Sequence, residues 1–193
     1  MTIERLALAL AILIVAGTAQ TACSRIRSEK QPLVSDSNRE QSSGNVDRPP
    51  SNLQERDGHV TDRVGIFDLD SRKRFEDVLT ELQTKARIDF ALAVIKSTNG
   101  EKISDYSMAL AKDWKVGSTN GGILQVVAID DRAWHIQIDK KLEQHLTSGD
   151  VKAFGDSMVP YLKDGKYIEG IEKCVENTIA RLAELQNFDP IKF

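Results

Sequence analysis

The stretch from Trp114 to Arg132 constrains the fold of this chain more than any other part of the sequence. It joins the end of an amphipathic segment, a loop of Gly and Asn residues, and the apolar run Ile123–Ile129, which is broken only by Gln125. Such a run is typical of a strand that is covered on both faces. The pair Asp130-Asp131 then fits a tight turn. This layout predicts a buried strand with polar groups at both ends, where α/β proteins usually build their sites.

The segments on either side of this strand alternate between extended and helical patterns. Residues 133–139 alternate between apolar and polar, which predicts a half-buried strand in a hairpin with the first one, and a further strand is predicted over Ile88–Ile95. Apolar residues at helical spacing predict four helices: one capped by Asp70 or Ser71, and three over residues 103–114, 149–163 and 167–185. Helices against a few strands predict an α/β or α+β layered domain with a mixed sheet.

The N-terminus has the pattern of an export signal. Leu6–Ala16 is an uninterrupted apolar run after Arg5, and it is too short for the roughly 20 residues that a membrane-spanning helix needs. A short apolar core between a basic residue and small residues indicates a signal peptide, which we place at residues 1–23. The domain that follows is therefore expected outside the cytoplasm.

Cys23 is a candidate for lipid attachment. It follows the small residues of Ala19-Gln20-Thr21-Ala22, and this arrangement resembles a bacterial lipobox. The resemblance implies a lipoprotein of the bacterial periplasm, anchored to a membrane through Cys23. Ordinary cleavage after Ala19 or Ala22 is the alternative, and it would leave Cys23 without a role.

Composition separates the rest of the chain into a tether and one domain. Residues 24–58 are polar and poor in apolar side chains, which predicts a disordered tether. Residues 59–187 carry the helical and extended patterns, and residues 188–193 form a short tail. The formal net charge is −3, so no nucleic-acid-binding surface is indicated.

Residues 59–187 resemble the TPM domain family. Five motifs carry the resemblance in order: His59-Val60-Thr61-Asp62-Arg63-Val64-Gly65-Ile66-Phe67, Trp114-Lys115-Val116-Gly117, Asn120-Gly121-Gly122-Ile123-Leu124, Asp130-Asp131-Arg132, and Met158-Val159-Pro160 followed by Asp164-Gly165-Lys166-Tyr167-Ile168-Glu169-Gly170-Ile171. The resemblance implies a three-layer α/β/α sandwich with a small mixed sheet. It also implies either Ca²⁺ or Mg²⁺ binding with a role in the assembly or repair of membrane complexes, or acid phosphatase activity.

Four residues are candidate ligands of a divalent cation: Asp62, Asp130, Asp131 and Asn120. Carboxylate and carbonyl oxygens are the ligands that Ca²⁺ and Mg²⁺ prefer. Each residue also has a structural alternative. Asp62 fits a turn or cap before the first helix, Asp130 and Asp131 fit a polar hairpin turn, and Asn120 fits a left-handed turn beside Gly121.

One loop departs from the family pattern. Where the family commonly has G-x-G-L-E, this chain has Asp139-Lys140-Lys141-Leu142-Glu143 without either glycine. No nucleophile motif with a base and no Cys/His metal spacing is present. We therefore favour a lipid-anchored binding module that takes a divalent cation and an envelope protein partner. The alternative is a metal-assisted phosphatase in which Lys140 or Arg132 holds the phosphate.

Overall fold

A computed structural model describes residues 55–189 and 191–193. Cys23, the predicted signal peptide and most of the predicted tether lie outside these residues. In chain order the elements are β1 Val60–Asp62, α1 Leu69–Ala86, β2 Asp89–Ile95, α2 Ile103–Asp113, β3 Gly122–Ala128, β4 Ala133–Ile138, α3 Lys140–Glu143, α4 Ser148–Lys163 and α5 Tyr167–Gln186.

The four strands form one mixed sheet in the order β1-β2-β3-β4. β1, β2 and β3 are parallel, and β4 is antiparallel to β3. Every residue of β2 and β3 is buried, because these strands occupy the centre of the sheet and are covered on both faces. The predicted strand after the Gly/Asn loop and its hairpin partner are both confirmed.

Helices cover both faces of the sheet. Phe75, Leu79 and Ile179 belong to a core that α1, α4 and α5 build on one face. Tyr106 and Leu110 of α2 pack on the other face with alternate residues of β2 and β3. The three-layer α/β/α arrangement is therefore confirmed, with α1, α4 and α5 on one side, joined by Leu142 of the short α3, and α2 on the other.

The first helix begins earlier than its sequence pattern predicts. Asp68 is the N-cap residue, and its Oδ1 accepts the backbone N–H of Ser71 at 2.7 Å. The prediction that Asp70 or Ser71 caps α1 is wrong, because Asp68 is extended and its carboxylate already satisfies a free amide of the first turn. The predicted apolar stripe of α1 is buried as expected.

The packing of α4 depends on two glycines. Gly155 of α4 lies against the indole of Trp134 on β4, and Gly170 of α5 lies against the backbone and side chains of α4. A capping box between Thr147 and Asp150 begins α4, and Pro160 is accommodated inside its last turns. Close approach at these glycines fixes how α4 lies on the sheet and on α5.

The last residues return to the core. Phe193 packs edge-on against Phe75 of α1, with ring centroids 4.6 Å apart, and Ile191 is buried. Among the described residues, none of the helices has the length and apolar character needed to cross a membrane.

Candidate functional site

The ends of the parallel strands bring the predicted acidic residues to one place. Asp62, Val94 and Val127 lie side by side in the register of β1, β2 and β3. We call the end of the sheet at which these strands finish the carboxyl end, and the opposite one the amino end. Asp130 and Asp131 follow β3 in the hairpin turn and share the carboxyl end with Asp62. Open α/β sheets place their ligand sites at this end.

Asp62 holds the loop between β1 and α1. Its Oδ1 accepts the backbone N–H groups of Val64 and Gly65 at 2.9 and 2.8 Å, and its Oδ2 accepts the N–H of Phe67 at 2.9 Å. Three backbone donors on one carboxylate fix the conformation of the loop. Asp62 therefore has the turn role that its sequence setting allowed, while its role as a cation ligand stays a prediction.

Asp131 ties the hairpin turn to the loop after β2. Its Oδ1 accepts the Ser97 hydroxyl at 2.7 Å, and its Oδ2 accepts the backbone N–H and the hydroxyl of Thr98 at 2.7 and 3.0 Å. These hydrogen bonds, that of Ser97 first, lower the pKa of Asp131. A carboxylate with a lowered pKa is a weak base, so the contact does not activate Ser97 as a nucleophile.

Asp130, unlike Asp62 and Asp131, holds no loop backbone in the described part of the chain. Its side chain is 56% exposed, and Oδ2 lies 4.0 Å from Nζ of Lys96. Asp130 lines a recess of about 370 Å³, which we call the loop recess. The other residues that line it are Arg63, Ile95, Lys96, Ser97, Asn99 and Tyr106.

Tyr106 supplies a neutral hydroxyl at the base of the loop recess. Burial raises the pKa of Tyr106, and the Glu101 carboxylate raises it further. The phenol therefore stays protonated across the physiological range. The loop recess thus combines one carboxylate, two cationic side chains and a neutral phenol.

Asn120 lies at the amino end of the sheet. Its side-chain amide donates to the carbonyl of Ala86 at 2.7 Å, and its backbone N–H donates to the carbonyl of Arg87 at 3.0 Å. It precedes β3, whereas Asp62 ends β1 and Asp130 and Asp131 follow β3. The structure brings Asp62, Asp130 and Asp131 to one end of the sheet and does not bring Asn120 to them.

Lys140 and Arg132, the predicted phosphate holders, are also placed apart. Lys140 begins α3 after β4. The preceding residue, Asp139, donates its backbone N–H to the carbonyl of Gly122 at the amino end of the sheet. Arg132 closes the hairpin turn at the carboxyl end but is absent from the lining of the loop recess. The cationic side chains that do line the loop recess, Arg63 and Lys96, were not singled out by sequence reasoning.

The carboxyl end of the sheet offers a divalent cation an incomplete set of ligands. No group of three or more His, Cys, Asp or Glu side chains in the described part of the chain is arranged to hold a metal ion. Asp62 and Asp131 each already accept three hydrogen bonds, which leaves Asp130 as the uncommitted carboxylate. Mg²⁺ often keeps several waters and binds through one or two carboxylates, whereas Ca²⁺ takes about 6–8 oxygen ligands. The residues present fit a hydrated cation on Asp130 better than a closed calcium cage.

The loop that lacks the family glycines lies at the amino end as well. Lys140–Glu143 forms the short helix α3, Asp139 caps it by accepting the N–H of Lys141 at 3.0 Å, and Leu142 is fully buried. Asp139 has a φ of −72°, so the backbone here needs no glycine. The substitution of both glycines is thus absorbed by a helical turn that is separate from the loop recess.

One buried polar cluster escaped sequence reasoning altogether. Asp89 begins β2, and its carboxylate accepts both guanidinium nitrogens of Arg56 at 2.8 and 2.6 Å and the N–H of Gly117 at 3.2 Å. His59 Nδ1 lies 3.9 Å from the same carboxylate and bonds to the carbonyl of Phe90 at 2.8 Å. The available signal was an aspartate at the start of an apolar run. A buried carboxylate needs a cationic partner, but sequence spacing does not reveal which one.

The remaining thiol in the described residues is inert. Burial raises the pKa of Cys174 to about 12, against a smaller opposite effect of its hydrogen bond with Thr178. A thiol with such a pKa carries almost no thiolate at neutral pH. The prediction of a buried cysteine beside the apolar stripe of α5 is confirmed.

The fold and the loops at its carboxyl end define the class of this protein: an α/β/α sandwich domain whose candidate site is built by the loops that follow parallel strands. The sequence pattern of the TPM domain matches residues 60–181, and the chain belongs to this family.

Comparison with an individual relative agrees with this family assignment. The chain is 28% identical over 118 residues to the UPF0603 protein YdjH of Bacillus subtilis. The matched region covers 61% of this chain and 45% of that protein. The chain thus spans less than half the length of this relative.

Solved structures share the fold. The N-terminal domain of a protein from P. gingivalis is 26% identical with a TM-score of 0.62, covering 67% of this chain and 85% of that domain. The BA42 protein of Bizionia argentinensis superposes with a TM-score of 0.55 at 16% identity, covering 67% of this chain and 94% of that one. At the latter identity the likeness concerns the fold alone.

Proposed function

We propose that this chain is a binding module of the bacterial cell envelope, exported to the periplasm, anchored to a membrane through a lipid on Cys23, and docked to an envelope protein through the loop recess. The observation that carries the proposal is the structural role of Asp62 and Asp131. Both carboxylates hold the backbone of the loops around the recess. Binding to loops that are already ordered costs less conformational entropy than binding to loops that must be ordered first.

The residues on these loops suit a protein partner. Leu69 is 86% exposed at the start of α1, and Val64 is exposed on the loop that Asp62 holds. Arg63, which precedes Val64 on this loop, lines the recess together with Lys96. Apolar side chains next to cationic ones favour a partner surface with an apolar centre and an acidic rim.

A divalent cation would bind at Asp130 in this proposal. The exposed carboxylate would hold hydrated Mg²⁺, or Ca²⁺ with further oxygen ligands from the partner protein. Such a cation would offset the negative charge of Asp130 and its neighbour Asp131 and would strengthen contact with an acidic partner.

Site-specific cross-linking in intact cells tests the docking surface. A photo-reactive residue at position 69 is expected to give a discrete adduct with one membrane or envelope protein. The matched control places the same residue at position 152, because Lys152 is exposed on α4 away from the loop recess. We expect the adduct at position 69 to disappear when Arg63→Glu and Lys96→Glu are introduced together. Equal adducts at both positions, or an adduct that survives the charge reversal, would contradict the proposal.

Phosphatase activity is a second candidate, favoured by the meeting of Arg63 and Lys96 with Asp130 in one recess. The two cationic side chains would hold a phosphoryl group by charge-assisted hydrogen bonds. A bound divalent cation would polarise a phosphoryl oxygen. Hydrolysis of an aryl phosphate by the full chain, lost in Asp130→Asn and Lys96→Gln but kept in Lys152→Gln, would replace the binding proposal with this one.

A further inference from the structure

A second cavity lies on the opposite face of the hairpin turn from the loop recess and shares no lining residue with it. It occupies about 460 Å³ between the β3–β4 hairpin and the corner where α4 meets α5, and we call it the hairpin groove. Its walls are apolar and aromatic side chains: Val127, Ile129, Trp134, Val159, Leu162 and Tyr167. Its volume lies in the range of about 300–1,000 Å³ that is usual for specific ligand sites.

Two cationic side chains stand among these apolar walls. Arg132 and Lys163 both line the hairpin groove, and neither forms an ion pair with a carboxylate of the described residues. Arg132 also has a φ of 50°, a left-handed conformation that Gly or Asn adopts more readily. The hairpin groove therefore has exposed positive charge beside apolar surface, and this complements an anion attached to an apolar body.

The strand next to the hairpin groove can accept a polypeptide backbone. β4 is an edge strand, and β3 is its only strand partner within the described part of the chain. An edge strand offers N–H and C=O groups that a further extended segment can pair with. Since Ala133 and Trp134 begin β4 and also line the groove, a segment antiparallel to β4 would end there.

We propose that the hairpin groove binds the C-terminal residue of a partner polypeptide whose last side chain is apolar. The side chain packs against Trp134 and Leu162, and the terminal carboxylate pairs with Arg132 and Lys163. A carboxylate accepts paired hydrogen bonds from an arginine guanidinium, so Arg132 makes the more directional contact. This proposal is independent of the loop recess and of any cation at Asp130.

Peptide binding to the full chain tests the proposal. The probe is a short peptide that ends in Gly-Leu-Leu with a free carboxylate, and the matched ligand is the same peptide with a C-terminal amide. The indole resonance of Trp134, assigned with Trp134→Phe, reports binding in a titration. We expect the free acid to bind at least about tenfold more tightly than the amide, because the amide loses the charge-assisted hydrogen bonds.

Three variants make the test specific. Arg132→Asn keeps a residue that tolerates positive φ, and Lys163→Gln removes the charge but keeps a polar side chain. Each is expected to weaken binding of the acid about tenfold with no effect on the amide. Lys166→Gln, an exposed cation outside the groove, is expected to leave binding unchanged.

Three results would overturn the proposal. The first is equal binding of acid and amide, and the second is loss of binding in Lys166→Gln as large as in Arg132→Asn. The third is a free apolar carboxylate such as octanoate binding as tightly as the peptide, which would make the hairpin groove a site for small amphiphiles instead.

Discussion

Gly155 lies directly beneath the indole ring of Trp134: a Cβ atom at position 155 would stand 1.9 Å from Cη2 of the ring. No side-chain rotation at position 155 can relieve this contact, because Cβ is fixed by the backbone. The glycine thus allows Trp134 to pack closely against α4 and to form one wall of the hairpin groove.

We expect Gly155→Ala to destabilise the domain in spite of the better helix propensity of alanine. Overpacking of this kind costs about 1–3 kcal/mol in the free energy of unfolding. Gly149→Ala on the same helix is the matched control, since its nearest neighbour would be the Thr147 hydroxyl oxygen at 3.5 Å, an ordinary contact. Urea denaturation of both variants measures the difference. Equal stability of the two would mean that Trp134 is free to move.

Gln125 offers a stabilising substitution. It is fully buried in β3, its Nε2 contacts the sulfur of Met158 at 2.9 Å, and its Oε1 has no hydrogen-bond partner among the described residues. An unsatisfied buried acceptor costs about 1–3 kcal/mol. We therefore expect Gln125→Leu to raise the free energy of unfolding by about 1 kcal/mol.

Gln125→Glu is the matched control, and it is expected to destabilise strongly at neutral pH because it buries a charge without a partner. Both effects can be read from urea denaturation. A destabilised Gln125→Leu variant would indicate that an ordered water satisfies Oε1.

The pair of Arg56 and Asp89 predicts a pH dependence. Burial is the largest single effect on the pKa of Asp89, and it raises that pKa. The hydrogen bonds and charge of Arg56, together with the N–H of Gly117 and the charge of His59, lower it by more. The pKa of Asp89 therefore lies below its ordinary value of 3.8. A carboxyl whose folded pKa is lowered stabilises the fold above its unfolded pKa, and this contribution is lost as the pH falls through the folded value. We expect the stability from this pair to be complete above about pH 5 and to fall below about pH 4.

Arg56→Ala measures the pair directly. It leaves a carboxylate that is 5% exposed without its cation, and breaking such a buried pair costs about 3 kcal/mol or more. Lys73→Ala is the control, because its pair with Asp77 is exposed on α1 and contributes less than about 0.5 kcal/mol. If thermal denaturation at pH 7 gives equal shifts for the two variants, the pair does not stabilise the fold.

Divalent cations test the role of Asp130. We expect Mg²⁺ or Ca²⁺ at ten times its dissociation constant to stabilise the full chain by about 1.4 kcal/mol, as binding to the folded state alone requires. Asp130→Asn is expected to abolish the shift in melting temperature. Asp77→Asn, which removes an exposed carboxylate from α1, should keep it. The absence of any shift at millimolar cation would remove the cation from the proposed function.

Cys23 is tested by lipid labelling, since it lies outside the residues that the structure describes. We expect a palmitate analogue to label the full chain in a bacterial host and the membrane fraction to contain it. Cys23→Ser is expected to lose both properties, whereas Cys174→Ser, which alters a buried thiol, should keep them. Equal labelling of both variants would contradict lipid attachment at Cys23.

The fold could be predicted from the sequence largely because its strongest pattern lies at the centre of the sheet. A long apolar run followed by an alternating one leaves few alternatives to a buried strand and a hairpin, as Val127 and Trp134 show in their paired register. β1 was missed because it has only three residues and its pattern is too short to read. The N-cap of α1 was misplaced because Asp68, Asp70 and Ser71 all suit a cap, and only the backbone conformation distinguishes them.

The end of the sheet at which the three aspartates lie was predictable from the sequence, but their contacts were not, and their role in binding stays a prediction. Asp62 ends β1 and Asp130 and Asp131 follow β3, so all three lie at the carboxyl end of the sheet, whereas Asn120 precedes β3 and therefore lies at the other end. The direction of the strands alone would have separated Asn120 from the aspartates. What each carboxylate binds depends on loop conformation, and sequence spacing does not determine it. For the same reason the contact of Arg56 with Asp89, across 33 positions, left no local signal.

The contact between Arg56 and Asp89 also distinguishes the two ends of the sheet. It fastens the chain just before β1 to the start of β2, at the amino end of the sheet, while Asp130 and the loop recess lie at the carboxyl end. The described part of the chain is thus fastened at one end of the sheet, and the loop recess lies at the other end. A partner at the loop recess would still reach the point where the described chain begins, because Arg63 lines the recess and its guanidinium donates to the carbonyl of Glu55 at 2.8 Å.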